Sequence, residues 1–410
     1  MIRNQTLILI LLMTAAITAD PRDTSAQQDP RVHAIELLKS TPLIDGHNDL
    51  PWTIRMHPWH PRSVEKFNIS ERQTGDTDIP RMRKGRVAAQ FWSVYVPGET
   101  TEGFAKVQLE QLDIVRRMID AHDELQLALT ADDIENAFAE GKIASLIGLE
   151  GGHVIENSLG ALRAYYLLGA RYMTLTHNVT LDWVDSAMDD PTHGGLTDFG
   201  GEVIREMNRL GMLADLSHVS PDVMMDVLDT SESPVIFSHS SARALTDHRR
   251  NVPDSVLARM RDNGGVVMVT FIPAFVSQAV SDWDKPFFAS LKGIESAEAY
   301  NEVRAKYAKD NPPPKATISD VADHIDYVRE VAGVAHVGIG SDFWQSGDMP
   351  DGLEDVSKFP DLFAELIRRG WSDDDLKLLA GQNTLRVLRQ AAAVAERLQT
   401  ERDPSTVVFK

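Results

Sequence analysis

Metal-binding and proton-transferring side chains recur in the sequence at the ends of short apolar runs. His47 and Asp49 are two residues apart, so on a β-strand both side chains project to the same face and can reach one ion. Glu150 ends another run and is followed by two glycines. Four further runs end in side chains of the same kinds, at His177, His218, His239 and Asp342. The pattern predicts a metal-dependent active site.

Four of the 13 histidines stand at these run ends, more than a random scatter would place there. The candidate ligands are His47, Asp49, Glu150, His218 and His239. Nitrogen and oxygen ligands without sulfur suit zinc, and manganese, cobalt or iron can substitute for it. Because three ligands and an open position are enough for one catalytic zinc, five ligands with one shared carboxylate indicate two ions. Two such ions generate hydroxide at neutral pH.

Composition narrows the class of protein. The chain has 410 residues, 41 basic and 61 acidic side chains, a formal net charge of −20 and no cysteine. The absence of cysteine excludes disulfides, thiolate nucleophiles and cysteine-ligated zinc, so any metal must be held by histidine, aspartate or glutamate. The negative charge repels phosphate, so we expect no nucleic-acid partner. With 43% apolar and 25% charged residues, the composition is typical of a globular protein.

Eight short apolar runs predict eight buried parallel strands that would position these side chains. They begin at Leu43, Ala88, Ala144, Tyr172, Leu213, Pro234, Gly265 and His336. Near-continuous apolar runs of this length are typical of strands that are covered on both faces. The segments between them predict helices over residues 104–121, 131–141, 201–210, 220–228 and 256–263. Eight strands alternating with helices predict an α/β fold, the (β/α)8 TIM barrel, whose active site lies on the loops that follow the strands.

Neither a repeat nor a low-complexity linker divides the chain, so a single barrel domain is expected over residues 36–400, followed by a tail over 401–410. Two connections, residues 51–87 and 272–335, are longer than a barrel needs. Long loops are usually functional, and these two follow strands. We interpret them as walls or lids of a pocket, with a dimer contact as the alternative.

The N-terminal residues have the pattern of a secretory signal peptide. A short start with Arg3 precedes an apolar run from Leu7 to Ile17, which is shorter than the roughly 20 residues that span a bilayer. Residues 1–19 are therefore predicted to be a signal peptide, with cleavage as late as residue 26 as an alternative, and residues 20–35 a leader. This predicts an exported protein, periplasmic in a bacterium or otherwise secreted, without a stable membrane anchor after cleavage.

Eight motifs resemble those of the renal or membrane dipeptidase family of the amidohydrolase superfamily, in the family's order, between about Pro42 and Leu388. They are LIDGHNDLPW, IGLEGGHVIE, LTHN, GGLTDFG, LADLSHVS, FSHSSARAL, RRNVPD and GIGSDF. The resemblance implies a barrel of the metal-dependent hydrolase type, with two zinc ions per chain, that hydrolyses dipeptides through a metal-bridging hydroxide. It also implies tolerance of a C-terminal D-residue, with β-lactam cleavage as a candidate side activity.

The resemblance assigns the metal ligands position by position. It implies that His47, Asp49 and Glu150 bind one zinc ion. It further implies that Glu150 bridges to a second zinc ion, held by His218 and His239.

The resemblance also implies the residues of the substrate side. His177 matches the histidine that polarises the scissile carbonyl, and Asp342 matches the acid/base carboxylate. Arg250 matches the arginine that binds the C-terminal carboxylate of the dipeptide. The residues alone would allow Arg249 in that role, and only the motif favours Arg250.

Family members differ in how they are anchored and paired. The mammalian members are disulfide-linked and lipid-anchored, whereas this chain lacks cysteine and an anchoring tail, so its architecture is expected to be closer to the bacterial members. A homodimer is a candidate assembly.

Two other functions compete with the dipeptidase: another binuclear amidohydrolase, such as a lactonase or a β-lactam hydrolase, and a non-catalytic barrel that binds a partner. Glu150, where the lactonase type carries a carboxylated lysine, argues against the first, and intact Arg250 and Asp342 argue against the second.

Overall fold

The structure is a computed structural model that describes residues 28–290, 297–344 and 347–410. The predicted signal peptide, residues 1–19, and residues 20–27 of the predicted leader lie outside the described residues.

In the described part of the chain, nine parallel strands form the sheet, and eight of them close into a barrel. The strands are β1 (Leu43–Asn48), β2 (Val87–Tyr95), β3 (Leu125–Leu127), β4 (Ile143–Glu150), β5 (Ala170–Thr174), β6 (Leu213–Asp215), β7 (Ile236–Phe237), β8 (Val266–Val269) and β9 (Val337–Ile339). Their order is β2-β1-β9-β8-β7-β6-β5-β4-β3, and β2 also pairs with β4, which closes the ring. The predicted (β/α)8 barrel is confirmed. Each of the eight predicted runs overlaps a barrel strand. Among the strands of the described residues, only the short β3, which lies outside the ring beside β4, was not predicted.

Helices surround the barrel, and several of them begin at a side chain that caps the first turn. They are α1 (Pro30–Leu38), α2 (Leu50–Arg55), α3 (Ile79–Lys84), α4 (Phe104–Asp120), α5 (Ala131–Ala139), α6 (Leu159–Leu167), α7 (Asp198–Leu210), α8 (Pro221–Thr230), α9 (Asp254–Leu257), α10 (Met260–Asn263), α11 (Pro273–Val276), α12 (Gln278–Ser290), α13 (Ala297–Asp310), α14 (Ile318–Ala332), α15 (Phe359–Arg368), α16 (Asp373–Lys377) and α17 (Asn383–Glu401). Short 3-10 turns span Gly152–Ile155, Val334–His336 and Val356–Lys358, and a π-helical turn spans Leu378–Gln382.

Two of the predicted helices begin at residues that cap them. The hydroxyl of Ser220 accepts from the backbone N–H of Val223, and Pro221 occupies the first turn of α8. Thr130 and Asp133 form a capping box at the start of α5. The helix predicted over residues 256–263 is instead two short helices, α9 and α10, and α7 starts three residues earlier than predicted because Thr197 caps it.

The two long connections contain helices. The connection after β1 contains α2 and α3, and the one after β8 contains α11 to α14. Both follow strands, so they lie at the catalytic face of the barrel. No helix among the described residues has the length and apolar character needed to cross a bilayer.

One glycine shapes the barrel interior beneath this face. A Cβ atom on Gly148 would lie 2.0 Å from the ring of Tyr172, so only glycine allows that ring to fill the interior. Tyr172 is fully buried there and packs on Phe91, with ring centroids 5.2 Å apart. Its hydroxyl group reaches the upper end of the barrel, where the candidate ligands meet.

Candidate metal centre and active site

The five predicted ligands converge at the carboxyl ends of four barrel strands. His47 lies in β1 and Glu150 ends β4, while Asp49, His218 and His239 lie within three residues after β1, β6 and β7. Their ligand atoms form overlapping groups in which all atoms lie within 4.8 Å of one another. The five side chains, which come from four separate segments of the sequence, therefore form one cluster at the barrel mouth.

The carboxylate of Glu150 lies at the middle of this cluster. Its Oε2 atom is 3.3 Å from Nε2 of His47. Its Oε1 atom is 3.2 Å from Nε2 of His218 and 3.7 Å from Nε2 of His239. On the His47 side, Asp49 adds a carboxylate oxygen 3.5 Å from Nε2. Because the two Glu150 oxygens face two different sets of ligands, this carboxylate has the position of a bridge.

Hydrogen bonds orient His47 and His218 with Nε2 toward the cluster. Nδ1 of His47 is 2.9 Å from the Tyr172 hydroxyl, and this hydroxyl donates to the Gly46 carbonyl at 3.3 Å. The hydroxyl therefore accepts the proton on Nδ1 of His47. Nδ1 of His218 is 3.1 Å from Oδ1 of Asn178, an atom that can only accept. Both rings consequently point the lone pair on Nε2 at the cluster.

A buried carboxylate orients His239 through a serine. Nδ1 of His239 is 2.7 Å from the Ser238 hydroxyl, and that hydroxyl donates to Asp215 at 2.6 Å. Since the Ser238 proton is committed to Asp215, the Ser238 oxygen accepts from Nδ1 of His239. All three histidines thus hold the tautomer that metal ligation requires.

The polar atoms of the cluster fit a divalent cation. With both Nδ1 atoms protonated, His218 and His239 present Nε2 lone pairs to each other at 3.0 Å, an arrangement that a cation stabilises. Nε2 of His47 and Oδ1 of Asp49 are buried and have no hydrogen-bond partner among the described residues. Buried polar atoms that converge without partners are the expected geometry of a metal site, and a nitrogen and oxygen set suits zinc.

Burial and charge set the protonation of the ligands. Burial lowers the pKa of His218 and His239 well below the usual value, which keeps both rings neutral and able to bind metal. Burial raises the pKa of Glu150, but the positive charge of His47 and the neighbouring imidazoles outweigh it and hold that pKa well below its usual range. Burial lowers the pKa of His47, but the charges of Tyr172, Glu150 and Asp49 outweigh it and raise that pKa well above its usual value. The centre is therefore an ionised carboxylate among imidazoles, and its negative charge attracts cations.

Asp342 lies beside the ligands in a strained backbone conformation. Its Oδ1 atom is 3.9 Å from Nε2 of His47, and its backbone N–H donates to the His47 carbonyl at 3.2 Å. Its φ angle is +62°, and that of His218 is +71°, in the left-handed region that costs about 1–3 kcal/mol for such residues. Burial, together with the charges of Asp49 and Glu150, raises the pKa of Asp342 to about 7. A carboxyl group with this pKa can both accept and return a proton near neutral pH.

His177 lies at the edge of the cluster, on the side of β5. Its Nε2 atom is 3.9 Å from Oε1 of Glu150, and its ring lies between the rings of His218 and Tyr95, at 4.4 and 4.7 Å. Burial lowers the pKa of His177, so its ring is neutral and can donate one N–H. The ring is partly exposed, which places it where a substrate carbonyl could meet it.

The structure separates the two candidate arginines. Arg250 is only 2% exposed, its guanidinium donates to Ser240 at 3.5 Å, and no carboxylate of the described residues lies within ion-pair distance of it. Burial lowers its pKa to about 10, which leaves it charged at neutral pH. Arg249 is exposed on the surface. Arg250 is therefore the buried, unpaired cation next to the cluster.

Several residues that hold the site were not predicted from the sequence. Ser93 donates to Oε2 of Glu150 at 2.8 Å, and Tyr172, Asn178, Ser238 and Asp215 orient the histidines as described above. The sequence contains only a weak signal for these supporting residues. Polar residues within apolar strands, such as Asp215 and Ser93, indicate a buried function, but the sequence does not tell which ligand they support.

Comparison with known proteins agrees with this geometry. The model of the membrane dipeptidase family (peptidase family M19) matches residues 31–402. The chain belongs to this family. Dipeptidase 3 of Rattus norvegicus is 40% identical over 389 residues, which cover 93% of this chain and 72% of the rat protein. The predicted family membership is confirmed, and the protein is a metal-dependent enzyme that hydrolyses dipeptides.

Solved structures of similar fold include bacterial dipeptidases. The probable dipeptidase PvdM of Pseudomonas aeruginosa has a TM-score of 0.79 and 25% identity, covering 90% of this chain and 100% of that one. A metallopeptidase of Rhodobacter sphaeroides, solved with a phosphinate mimic of the dipeptide L-Ala-D-Ala, has a TM-score of 0.70 and 25% identity and covers 86% of this chain and 99% of that one. The membrane dipeptidase fold thus extends over nearly the whole described chain.

Proposed function

We propose that this dipeptidase uses two zinc ions and hydrolyses L,L dipeptides and dipeptides with a C-terminal D-residue. The observation that carries the proposal is the Glu150 carboxylate, whose two oxygens face His47 on one side and the pair His218 and His239 on the other. The bacterial relative that was solved with an L-Ala-D-Ala mimic supports the stereochemical part.

His47, Asp49 and Glu150 would hold one ion, and Glu150, His218 and His239 the other. These are two of the three ligand groups that the structure brings together. When bound, the ions make a water molecule nucleophilic at neutral pH and polarise the scissile carbonyl.

Asp342 moves the proton in this proposal. Its carboxylate lies near His47 of one ligand set and His239 of the other. Burial raises its pKa to about 7. It takes a proton from the attacking water and then delivers that proton to the amine that leaves. One residue can do both because the two transfers of this proton occur in succession at the same place.

His177 and Arg250 orient the dipeptide. The neutral ring of His177 donates a hydrogen bond to the carbonyl oxygen, which becomes negatively charged in the transition state. The buried guanidinium of Arg250 binds the C-terminal carboxylate with its two-pronged donor geometry. A buried cation without an ion-pair partner is costly, and the substrate carboxylate supplies that partner.

Replacing Arg250 by methionine tests the carboxylate role. We expect Arg250→Met to raise KM about 100-fold with a smaller change in kcat, because a buried charge pair is lost. Amidated dipeptides should be poor substrates of the parent enzyme for the same reason. The matched control is Arg249→Met, which removes the exposed neighbour and should leave KM unchanged. Equal parent rates on free and amidated dipeptides would remove Arg250 from the substrate site.

The proposed function is tested by assaying the purified enzyme on a library of L,L and L,D dipeptides. We expect hydrolysis of both classes, loss of activity with a chelator, recovery on addition of zinc, and roughly two zinc ions per chain by elemental analysis. A metal-free protein with full activity would contradict the proposal. One ion per chain at full activity would contradict its two-metal part.

We also propose that the enzyme is exported, on the support of the apolar run over residues 7–17. Mass spectrometry of the mature protein, after expression in a host with a secretion system, would show cleavage after residue 19 or as late as residue 26.

The predicted homodimer stays a prediction.

A further inference from the structure

Two opposite charges lie across the mouth of the barrel. Arg250 follows β7, and Glu99 follows β2. Around the closed ring, β2 and β7 are four strands apart in either direction, through β1, β9 and β8 or through β4, β5 and β6. In an eight-stranded ring this is the largest separation, so the two loops lie on opposite sides of the metal ligands.

The Glu99 side chain is available to a ligand. It is exposed, and no cation of the described residues lies within ion-pair distance of it. Its neighbour Glu102 differs, because it faces Arg55, Arg62 and Lys106 at 3.7, 3.6 and 3.4 Å. Of these two acidic residues in one loop, only Glu99 has a free charge.

The loop that carries Glu99 is packed against the loop that carries His177. A Cβ atom on Gly98 would lie 3.0 Å from a methyl group of Val179, two residues after His177. At the start of the same loop, the carbonyl of Val96 is 2.9 Å from Nε2 of His153. The Glu99 charge is close enough to His177 to raise its pKa, although burial dominates and the net shift is downward. Glu99 is thus held beside the group that meets the scissile carbonyl.

A dipeptide carries charges at the matching positions. Its ammonium and carboxylate groups lie about 7 Å apart when the two residues are extended. With the carboxylate at Arg250 and the scissile bond at Glu150 and His177, the ammonium group points away from β7 and toward β2.

We propose that Glu99 binds the N-terminal ammonium group of the dipeptide and so makes the enzyme specific for substrates with a free amine. The inference rests on the proposed function, in which Arg250 binds the other end. The carboxylates nearer the scissile bond, Asp49 and Asp342, are engaged in metal binding and proton transfer. Glu99 therefore determines specificity and takes no part in the chemical step.

The test compares L-Ala-L-Ala with N-propionyl-L-alanine, which is identical except that a hydrogen replaces the amine. The rate of hydrolysis of each compound is measured with the parent, with Glu99→Gln and with the control Glu102→Gln. The analogue is also tested with each protein as a competitive inhibitor of L-Ala-L-Ala hydrolysis. We expect Glu99→Gln to raise KM for L-Ala-L-Ala about tenfold with little change in kcat, and to leave the inhibition constant of the analogue unchanged. Glu102→Gln should change neither.

Three outcomes separate the hypotheses. An unchanged KM in Glu99→Gln, or an equal weakening of both compounds, would overturn the role of Glu99 and leave the dipeptidase intact. A parent enzyme without activity on any dipeptide would instead overturn the proposed function. Thermal melting of each variant checks folding, and because Glu99 is exposed, we expect all three proteins to melt together.

Discussion

Asp342→Asn is expected to lower kcat about 1000-fold and to leave the zinc content of the enzyme unchanged. The expected size follows from general acid–base catalysis, which contributes roughly 100- to 10,000-fold. The amide has the shape of the carboxylate but cannot take up the proton of the attacking water. Because Nε2 of His47 lies 3.9 Å from Asp342 but 3.3 Å from Glu150, the closer ligands should retain the metal.

The measurement is kcat on a good dipeptide together with elemental analysis of the same sample. The matched control is Asp351→Asn, in an exposed aspartate that pairs only with Lys315 at 2.9 Å. Turnover within a factor of two of the parent would refute the proton-transfer role. Loss of zinc together with loss of turnover would reassign Asp342 to the metal ligands.

Glu150→Gln is expected to weaken the binding of both ions more than about 100-fold and to abolish measurable turnover. Loss of groups that merely support ligands typically costs 10- to 100-fold in metal affinity, and Glu150 is placed as a ligand to both ions. The amide removes the negative charge that the structure places between His47 and the pair His218 and His239. The glutamine amide also carries N–H donors, and one of them would point toward histidine Nε2 atoms that must bind a cation.

Thermal melting with and without zinc gives a readout that does not depend on turnover. A ligand that binds only the folded state raises the melting temperature, so the parent should gain stability with zinc and Glu150→Gln should not. Glu140→Gln is the control, because this exposed side chain faces only Lys142 at 3.9 Å. A parent-like zinc shift in Glu150→Gln would contradict the bridging role.

The strands were predictable because their signal is local. Buried strands read as short, nearly continuous apolar runs, and all eight barrel strands were found in this way, whereas β3 has only three residues and lies outside the ring. The helices of the connection after β8 were not predicted. One of them, α13, is mostly polar, so it lacks the apolar stripe by which amphipathic helices are recognised.

The candidate ligands were predictable as residue types at strand ends, but their supporting groups were not. Tyr172 looks like an ordinary aromatic strand residue until its hydroxyl is seen 2.9 Å from His47. Ser238 and Asp215 lie 23 residues apart and meet at 2.6 Å only because β6 and β7 are neighbours. Pairing between strands of distant sequence creates these contacts.

The sequence by itself determined the chemical class of the site. Histidine and carboxylate ligands in a chain without cysteine restricted the metal chemistry, and the order of the motifs indicated the family. The motif favoured Arg250 over Arg249, but only the tertiary structure showed that Arg250 is buried and Arg249 is exposed. The tertiary structure also placed the loops that carry Glu99 and Arg250 on opposite sides of the barrel mouth. Apolar periodicity can be recognised within one segment of the sequence. The positions of these two loops on opposite sides of the mouth depend on the whole barrel, because β2 pairs with β4 and closes the ring.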